Sequence, residues 1–236
     1  SLYANGRSTG LVVDSGDGVT HTVPVFEGFS IPHAIEKMEI AGRVITDYAQ
    51  KLLLETGHSF TSTAELEIVK DIKEKLCFVA QDYDAEHAAA ASSSEFNQSY
   101  TLPDKSQIDV PGTVRMQIPE LIFKPELNGK SCSSIQALSW RSVQASDVDV
   151  RRDLLKNIIM SGGTTMYEGM PDRLKSEISA LAPPGSEVRI VATSDRKYAV
   201  WKGASTLASL STFGSSWISK AEYEECGASI VHRKCS

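Results

Sequence analysis

The 236-residue chain lacks features that would assign it to several specialised classes of protein. Its 24 basic residues are outnumbered by 30 acidic ones, so it has no cationic surplus of the kind that neutralises phosphates in nucleic-acid binding. No apolar run approaches the roughly 18 residues that a membrane span needs. The first residues, Ser1–Arg7, lack the apolar stretch of a signal peptide, which argues against secretion. Neither nucleic acid nor a membrane is therefore an expected partner.

Cysteine is also scarce. None of the cysteines belongs to a CxxC pair, and their spacings fit no zinc site. They are Cys77, Cys132, Cys226 and Cys235. Four cysteines are too few for a disulfide scaffold in a chain of this length, so the sequence predicts a reducing compartment. The sequon at Asn97 is interpreted as a chance match in a chain without a secretory signal.

What remains is an ordinary globular composition, 41% hydrophobic and 23% charged, which suits one large domain or two modest ones. Two β-rich segments, 11–14 and 19–25, flank Ser15-Gly16-Asp17-Gly18 and predict a hairpin. Apolar periodicity predicts a helix over 42–55 and another over 63–80, the second opened by a capping box from Ser62 to Glu65. The polar stretch 81–112 predicts a surface excursion made of a helix and a short hairpin.

The second half alternates between helical and strand-like segments. Helices are predicted over 147–155, 171–181 and 198–212, and strands over 157–160 and 188–192. A glycine-rich turn follows the first of these strands. This order predicts an α/β fold with parallel strand pairing.

Two glycine-bearing turns are candidates for binding a nucleotide. In the hairpin tip (residues 15–18), two glycines allow the backbone to aim successive N–H groups at an anion. The flanking carboxylates, Asp14 and Asp17, suit a site where a divalent cation or its waters lie next to the phosphates. In the glycine turn (residues 161–165), the chain passes from a buried strand to a helix, where α/β sheets bind ligands. Taken singly, the residues favour a simpler interpretation of each turn: a solvated hairpin turn for the first, and a glycine-rich connection with Met166 and Tyr167 in the core for the second.

Together and in this order, the two turns resemble the second phosphate loop and the adenosine loop of the superfamily shared by actins, sugar kinases and heat-shock chaperone ATPases. Longer segments along the whole chain are similar to actin. They are Ser1–Ala4, Asp14–Pro24, Asp71–Cys77, Ser161–Tyr167, Arg196–Tyr198, Leu207–Phe213, Trp217–Lys220 and Ile230–Cys235. The resemblance implies the actin-like ATPase fold, which is ribonuclease H-like.

The resemblance also implies how the chain is organised. Residues 1–196 correspond to the second-half α/β lobe, with a peripheral insertion at about 43–122. Residues 197–236 correspond to C-terminal helices that return to the first lobe. The chain thus matches the C-terminal two-thirds of an actin, and the family's first phosphate loop and water-placing glutamine correspond to positions before Ser1.

A set of site residues is carried over from the family by position. Asp14 matches the carboxylate that orients water on a bound Mg²⁺ or Ca²⁺, and His21 matches a histidine near the γ-phosphate that can orient water or relay a proton. The remaining positions match the phosphate, ribose and adenine contacts for ATP or ADP. They are Gly16, Asp17, Gly18, Val19, Gly42, Lys70, Lys73, Glu74, Gly162, Gly163, Thr164, Met166, Tyr167 and Lys197.

By resemblance, the expected activity is slow ATP hydrolysis coupled to head-to-tail polymerisation into filaments, in the cytoplasm and its cytoskeleton. Actin-binding proteins are expected at a cleft near Tyr3, Leu207 and Leu210. Two alternatives remain: a non-polymerising scaffold subunit of a larger complex, such as a chromatin remodeller or a dynein arm, and a sugar kinase. The sugar kinase would need a carboxylate base beside a sugar pocket, and the sequence offers none.

Departures from actin concentrate on contact surfaces. The loop 126–130 corresponds to an apolar plug between filament strands, yet it carries Asn128 and Lys130, whose burial without partners would cost several kcal/mol. Other departures are Lys202, Thr206 and Ser216 in the partner cleft, and Val44 and Ser236 elsewhere. This pattern favours an actin that keeps its nucleotide site and has changed its partners.

Overall fold

The computed structural model describes residues 1–234, so the predicted match at Cys235 and the departure at Ser236 lie outside the described residues. Within that range the fold is mixed α/β. It contains a main sheet of six strands and a separate two-stranded sheet within residues 98–110. The predicted fold class is confirmed.

The centre of the main sheet is β1, Gly10–Ser15, paired antiparallel with β2, Thr20–Phe26. On its other side β1 pairs in parallel with β7, Ile158–Ser161, which in turn pairs in parallel with the short β8, Ile190–Val191. Strands covered on both faces need continuous apolar runs, and Leu11–Val13 and Ile158–Met160 supply them. The predicted hairpin and the predicted parallel pairing are both present.

The edge of this sheet is made by two short strands, β3 at Phe29–Ser30 and β4 at Glu36–Met38, which both pair antiparallel with β2. The second sheet consists of β5, Gln98–Thr101, and β6, Gln107–Val110. Together with α3 at Tyr83–Ser92 it forms the helix-and-hairpin excursion that the polar stretch predicts.

Helix α1 spans Gly42–Glu55, as predicted, and α2 spans Thr63–Leu76. The capping box is present in full, because the Ser62 hydroxyl accepts from the Glu65 N–H while the Glu65 carboxylate accepts from the Ser62 N–H. The prediction that α2 continues to Ala80 is wrong. The backbone becomes extended at Cys77. The Val79 N–H donates to the Glu168 carbonyl at 2.9 Å and not to a carbonyl of α2.

Seven further α-helices follow in the described part of the chain. They are α4 (Gly112–Glu120), α5 (Ile135–Ala145), α6 (Val148–Lys156), α7 (Met170–Leu181), α8 (Ala199–Ala208), α9 (Lys220–Cys226) and α10 (Ile230–Lys234). Among them, α5, α6 and α7 pack against the main sheet. Two predicted elements are too long. The strand predicted over 188–192 is formed only by Ile190–Val191. The helix predicted to reach residue 212 ends at Ala208, and Ser211–Ser216 forms a separate 3-10 helix.

One large apolar cluster joins β1, β7, α1, α2, α4, α5 and α7 into a single core. Cys77 lies inside it as a thiol, and burial raises its pKa to about 12, so it stays protonated. Among the described residues, Cys132 and Cys226 are also thiols without a disulfide partner. Within residues 1–234, none of the helices combines the length and the apolar character needed to span a bilayer.

Candidate functional site

The hairpin tip and the glycine turn meet at one edge of the main sheet. In the parallel ladder Asp14 is the register partner of Ser161, so β1 and β7 end side by side and both turns begin at the same level. The Thr164 hydroxyl then donates to the Gly16 carbonyl at 2.7 Å, across 148 residues of sequence. The two turns are therefore fixed to each other directly.

Gly162 permits this approach. Its φ is +90°, a backbone conformation that side-chain-bearing residues rarely adopt. A Cβ at this position would lie 2.2 Å from the Ser15 carbonyl oxygen, well inside van der Waals contact. Only glycine fits here without moving one of the two strands.

The start of α1 closes the site from a third side. The Gly42 N–H donates to the Gly16 carbonyl at 2.9 Å, and the Arg43 N–H donates to the Asp17 carbonyl at 2.8 Å. These bonds satisfy two of the N–H groups that a helix leaves open at its first turn. The tip is thereby held between α1 and the glycine turn.

The tip itself keeps open backbone donors. The Gly16 N–H donates to the Val19 carbonyl at 3.2 Å and so closes the turn. The N–H groups of Asp17 and Gly18 find no acceptor among residues 1–234. Consecutive free amides at a tight turn form a concavity suited to an anion.

Between the tip, the glycine turn and α2 lies a cleft of about 500 Å³. Eleven of its twelve lining residues belong to the predicted set. They are Gly16, Asp17, Gly42, Lys70, Lys73, Glu74, Gly163, Thr164, Met166, Tyr167 and Lys197. The twelfth, Tyr198, was not predicted. A cleft of this size is large enough for a ligand of nucleotide dimensions.

Lys73 is the most buried charge of the cleft, with 5% of its surface exposed. Its ammonium donates to the Gly42 carbonyl and to the Thr46 hydroxyl, both at 2.8 Å. Burial lowers its pKa, while the carboxylates of Glu74 and Asp17 act in the opposite direction. The side chain braces α1 against α2 and places positive charge on the cleft floor.

Five predicted residues do not line the cleft wall. Gly18 and Val19 belong to or follow the tip, Gly162 belongs to the glycine turn, and Asp14 and His21 are register partners on β1 and β2. His21 Nε2 is 3.9 Å from Asp14 Oδ2, beyond hydrogen-bond distance.

The environment of Asp14 fits a hydrated cation. Its buried Oδ1 has no hydrogen-bond partner in the described part of the chain, and neither has the Ser161 hydroxyl opposite it. Buried polar atoms are normally paired, so two orphans side by side indicate a missing ligand or water. No group of three or more metal-ligating side chains exists within residues 1–234, so a cation here would take most ligands from water and phosphate.

Sequence reasoning missed two contributors, Tyr198 in the cleft wall and Arg196 behind it. Both lie in the Arg196–Tyr198 segment that resembles actin, which was the available signal.

A second cavity of about 580 Å³ lies between α5, α6 and the 183–187 loop and shares no residue with the cleft.

A mixed sheet with two turns converging on a cleft beside α1 and α2 defines an actin-like ATPase domain. The family model described as Actin matches residues 1–236. The chain belongs to the actin family. Members of this family bind nucleotide together with a divalent cation and in general self-associate as cytoskeletal proteins, so this chain is an actin-like nucleotide-binding protein.

Proposed function

We propose that the cleft binds ATP or ADP with Mg²⁺ or Ca²⁺, that the bound ATP is hydrolysed slowly, and that the nucleotide governs self-association into filaments. The observation that supports this most directly is the Thr164–Gly16 hydrogen bond, which joins the two turns over one cleft. Either turn alone could be an ordinary connection. Because they are joined, one ligand can contact both the anion-binding tip and the apolar wall of the cleft.

Different residues of the cleft would bind different parts of the nucleotide. The open amides of Asp17 and Gly18 would hold phosphate oxygens, and Lys73 would add positive charge. On the opposite wall, Met166 and Tyr167 offer surface for a base, and Glu74 offers an acceptor for ribose hydroxyls.

The divalent cation would supply charge neutralisation at the phosphates and a shell of ordered water. The unpartnered Asp14 Oδ1 would accept a hydrogen bond from that water. His21, about one-third exposed beside Asp14, would orient the attacking water or take up its proton. Hydrolysis without a stronger base is slow, which suits a nucleotide used as a conformational timer.

Replacing Asp14 by asparagine should weaken nucleotide binding in the presence of Mg²⁺ by about tenfold, because the side chain keeps its size and loses the charge that holds cation-bound water. The measurement is the dissociation constant of a fluorescent ADP, with Mg²⁺ and after chelation. Chelation should weaken binding to wild type and leave the Asp14→Asn variant nearly unchanged.

The matched control for this experiment is Asp104→Asn, an exposed aspartate in the β5–β6 turn that hydrogen-bonds only to Ser106. This variant should behave like wild type in both conditions. If chelation weakens ADP binding equally in wild type and in Asp14→Asn, the proposed role of Asp14 at the cation site is contradicted. Failure of wild type to bind ADP at all would contradict the proposed function.

Filament formation depends on the plug loop (residues 126–130). Leu127 packs against the core, and the Asn128 amide oxygen accepts from Lys51 of α1 at 3.0 Å. The loop is thus held against its own chain with a polar surface outward. This observation favours the second candidate function, a non-polymerising scaffold within a larger complex, over an unaltered cytoskeletal filament.

Replacing Lys130 by methionine should lower the critical concentration for polymerisation severalfold, because an exposed cation is removed from a surface that filaments bury. Sedimentation in Mg²⁺-ATP measures it, and Lys105→Met in the β5–β6 turn is the control. Identical critical concentrations for wild type and both variants would contradict the role of Lys130. Absence of sedimentable polymer in all three would support the scaffold function.

The surface for actin-binding proteins is proposed around Tyr3, Leu207 and Leu210. Tyr3 and Leu210 are about half exposed, so part of an apolar groove remains. Lys202, on the same helix as Leu207, forms an ion pair with Asp195, which places charge at the groove margin. Amphipathic helices should therefore bind here more weakly than to a fully apolar groove.

A further inference from the structure

Arg196 is a buried cation that pairs with no carboxylate among the described residues. Only 7% of it is exposed. Its guanidinium donates instead to backbone and hydroxyl oxygens of two segments: to the Thr165 carbonyl at 2.8 Å, to the Thr165 hydroxyl at 3.2 Å and to the Thr193 carbonyl at 3.0 Å. Burying a guanidinium without an anionic partner costs free energy, so these bonds must compensate for it.

The backbone of Arg196 binds the same turn a second time. Its carbonyl accepts from the Gly162 N–H at 3.1 Å. The Thr165 hydroxyl, itself held by Arg196, donates to the Gly162 carbonyl at 2.7 Å. Both ends of the glycine turn are therefore attached to one residue, and none of these contacts involves an exposed side chain.

Arg196 also begins the short 3-10 helix Arg196–Tyr198. The two residues that follow it, Lys197 and Tyr198, line the cleft, as do Thr164 and Met166 from the glycine turn. Two walls of the cleft that are about thirty residues apart in sequence thus share Arg196 as their common support.

We propose that Arg196 is a positioning residue for the base-and-ribose side of the nucleotide, acting by holding the glycine turn and the Arg196–Tyr198 helix in one fixed relation. This inference rests on the proposed nucleotide site. It assigns to Arg196 no contact with the ligand. The phosphate side, formed by the hairpin tip and α1, makes no contact with its guanidinium and is joined to the glycine turn through the Thr164–Gly16 hydrogen bond, so it should depend on Arg196 less.

The test compares Arg196→Met with Arg151→Met in the full chain. Arg151 is the control, because its guanidinium likewise donates to backbone carbonyls, those of Ser146 at 2.9 Å and Gln144 at 2.6 Å, and it lies outside the cleft. Arg196→Lys is the second variant. Its single ammonium can keep one of the bonds, so it should fold readily and show an intermediate loss.

The first measurement needs no ligand. Amide hydrogen exchange at Gly162 and Thr165 should accelerate about tenfold in Arg196→Met, since the turn loses charged hydrogen bonds, and should stay at the wild-type rate in Arg151→Met. Unchanged exchange at these two amides would overturn the inference, whether or not the protein binds a nucleotide.

The second measurement compares ADP with inorganic tripolyphosphate, both with Mg²⁺. Arg196→Met should bind ADP about tenfold more weakly, and its loss of affinity for tripolyphosphate should be clearly smaller. Equal losses for the two ligands would mean a general structural role and would overturn the inference. If wild type binds neither, the proposed function fails, and the exchange measurement alone decides whether Arg196 holds the turn.

Discussion

Replacing Gly162 by alanine should lower the free energy of unfolding by at least about 3 kcal/mol and abolish nucleotide binding. The new Cβ would lie 2.2 Å from the Ser15 carbonyl oxygen and 2.6 Å from its carbon, so it meets backbone rather than a movable side chain. Either β1 or β7 must shift, which separates the hairpin tip from the glycine turn. Urea denaturation and titration with fluorescent ADP measure the two effects.

Gly185 is the matched control for this substitution. Its φ of +83° is close to the +90° of Gly162, yet a Cβ there has no atom within 4 Å among the described residues. Gly185→Ala should therefore cost only the backbone strain, about 1–2 kcal/mol, and leave ADP affinity unchanged. Equal destabilisation by the two substitutions would contradict the close approach of the two strands.

Replacing Arg173 by methionine should destabilise the chain by about 3–5 kcal/mol at neutral pH. Two of its guanidinium nitrogens donate to the two carboxylate oxygens of Glu120, at 2.9 and 3.1 Å, and Glu120 is completely buried. The substitution leaves that carboxylate without its partner. It also removes the 2.7 Å hydrogen bond to the Ala80 carbonyl, which ties α7 to the segment after α2.

The pH dependence distinguishes this cause from a simple packing defect. Burial already raises the pKa of Glu120, while Arg173 opposes that rise. Without Arg173 the pKa of Glu120 in the folded state rises further above its unfolded value, so folding takes up a proton. The loss of stability in Arg173→Met should therefore be largest at high pH and shrink as the pH falls through the raised pKa of Glu120. Thermal denaturation of wild type and variant across this range measures the difference.

The double variant Arg173→Met with Glu120→Gln provides the control, because it removes the charge that the single variant leaves unpaired. It should be more stable than Arg173→Met alone and should lose most of the pH-dependent difference from wild type. A single variant with a pH-independent deficit, or a double variant that is less stable than the single one, would contradict the assigned role of the pair.

The parts of the fold that the sequence predicts well are those with short-range causes. The hairpin around residues 15–18 follows from local turn chemistry, and the start of α2 follows from the capping box at Ser62 and Glu65. The parallel pairing of β1 with β7 follows from the alternation of elements, because the intervening helices cross between parallel strands.

The end of α2 shows where such reasoning fails. Val79 continues the helical spacing of apolar residues and is indeed buried, but it is buried as extended chain paired with Glu168. Periodicity reports which positions face the core. It does not indicate whether those positions are helical or extended. Here the extended conformation is set by the hydrogen bond from Val79 to Glu168, 89 residues further along the chain.

The candidate site divides in the same way. Asp14 was a candidate from the hairpin tip itself, whereas Lys73 was a candidate only through the resemblance to actin. Arg196 lies in a segment that resembles actin, but it stands beside Asp195 and Lys197 in a charged run, and the sequence does not indicate which of the three is buried. The contact between Gly162 and Ser15 was likewise hidden, since it depends on the register of two distant strands.

The pairing of Asp14 with Ser161 has a consequence for how such a chain can diverge. Each residue advances a strand by about 3.3 Å, so inserting or deleting one residue in either strand alone would carry its turn out of reach of the other. Length changes in β1 and β7 are tolerable only when they occur in both at once. Surface loops of related chains should accordingly vary in length, while the spans from residue 10 to 16 and from 158 to 162 stay constant.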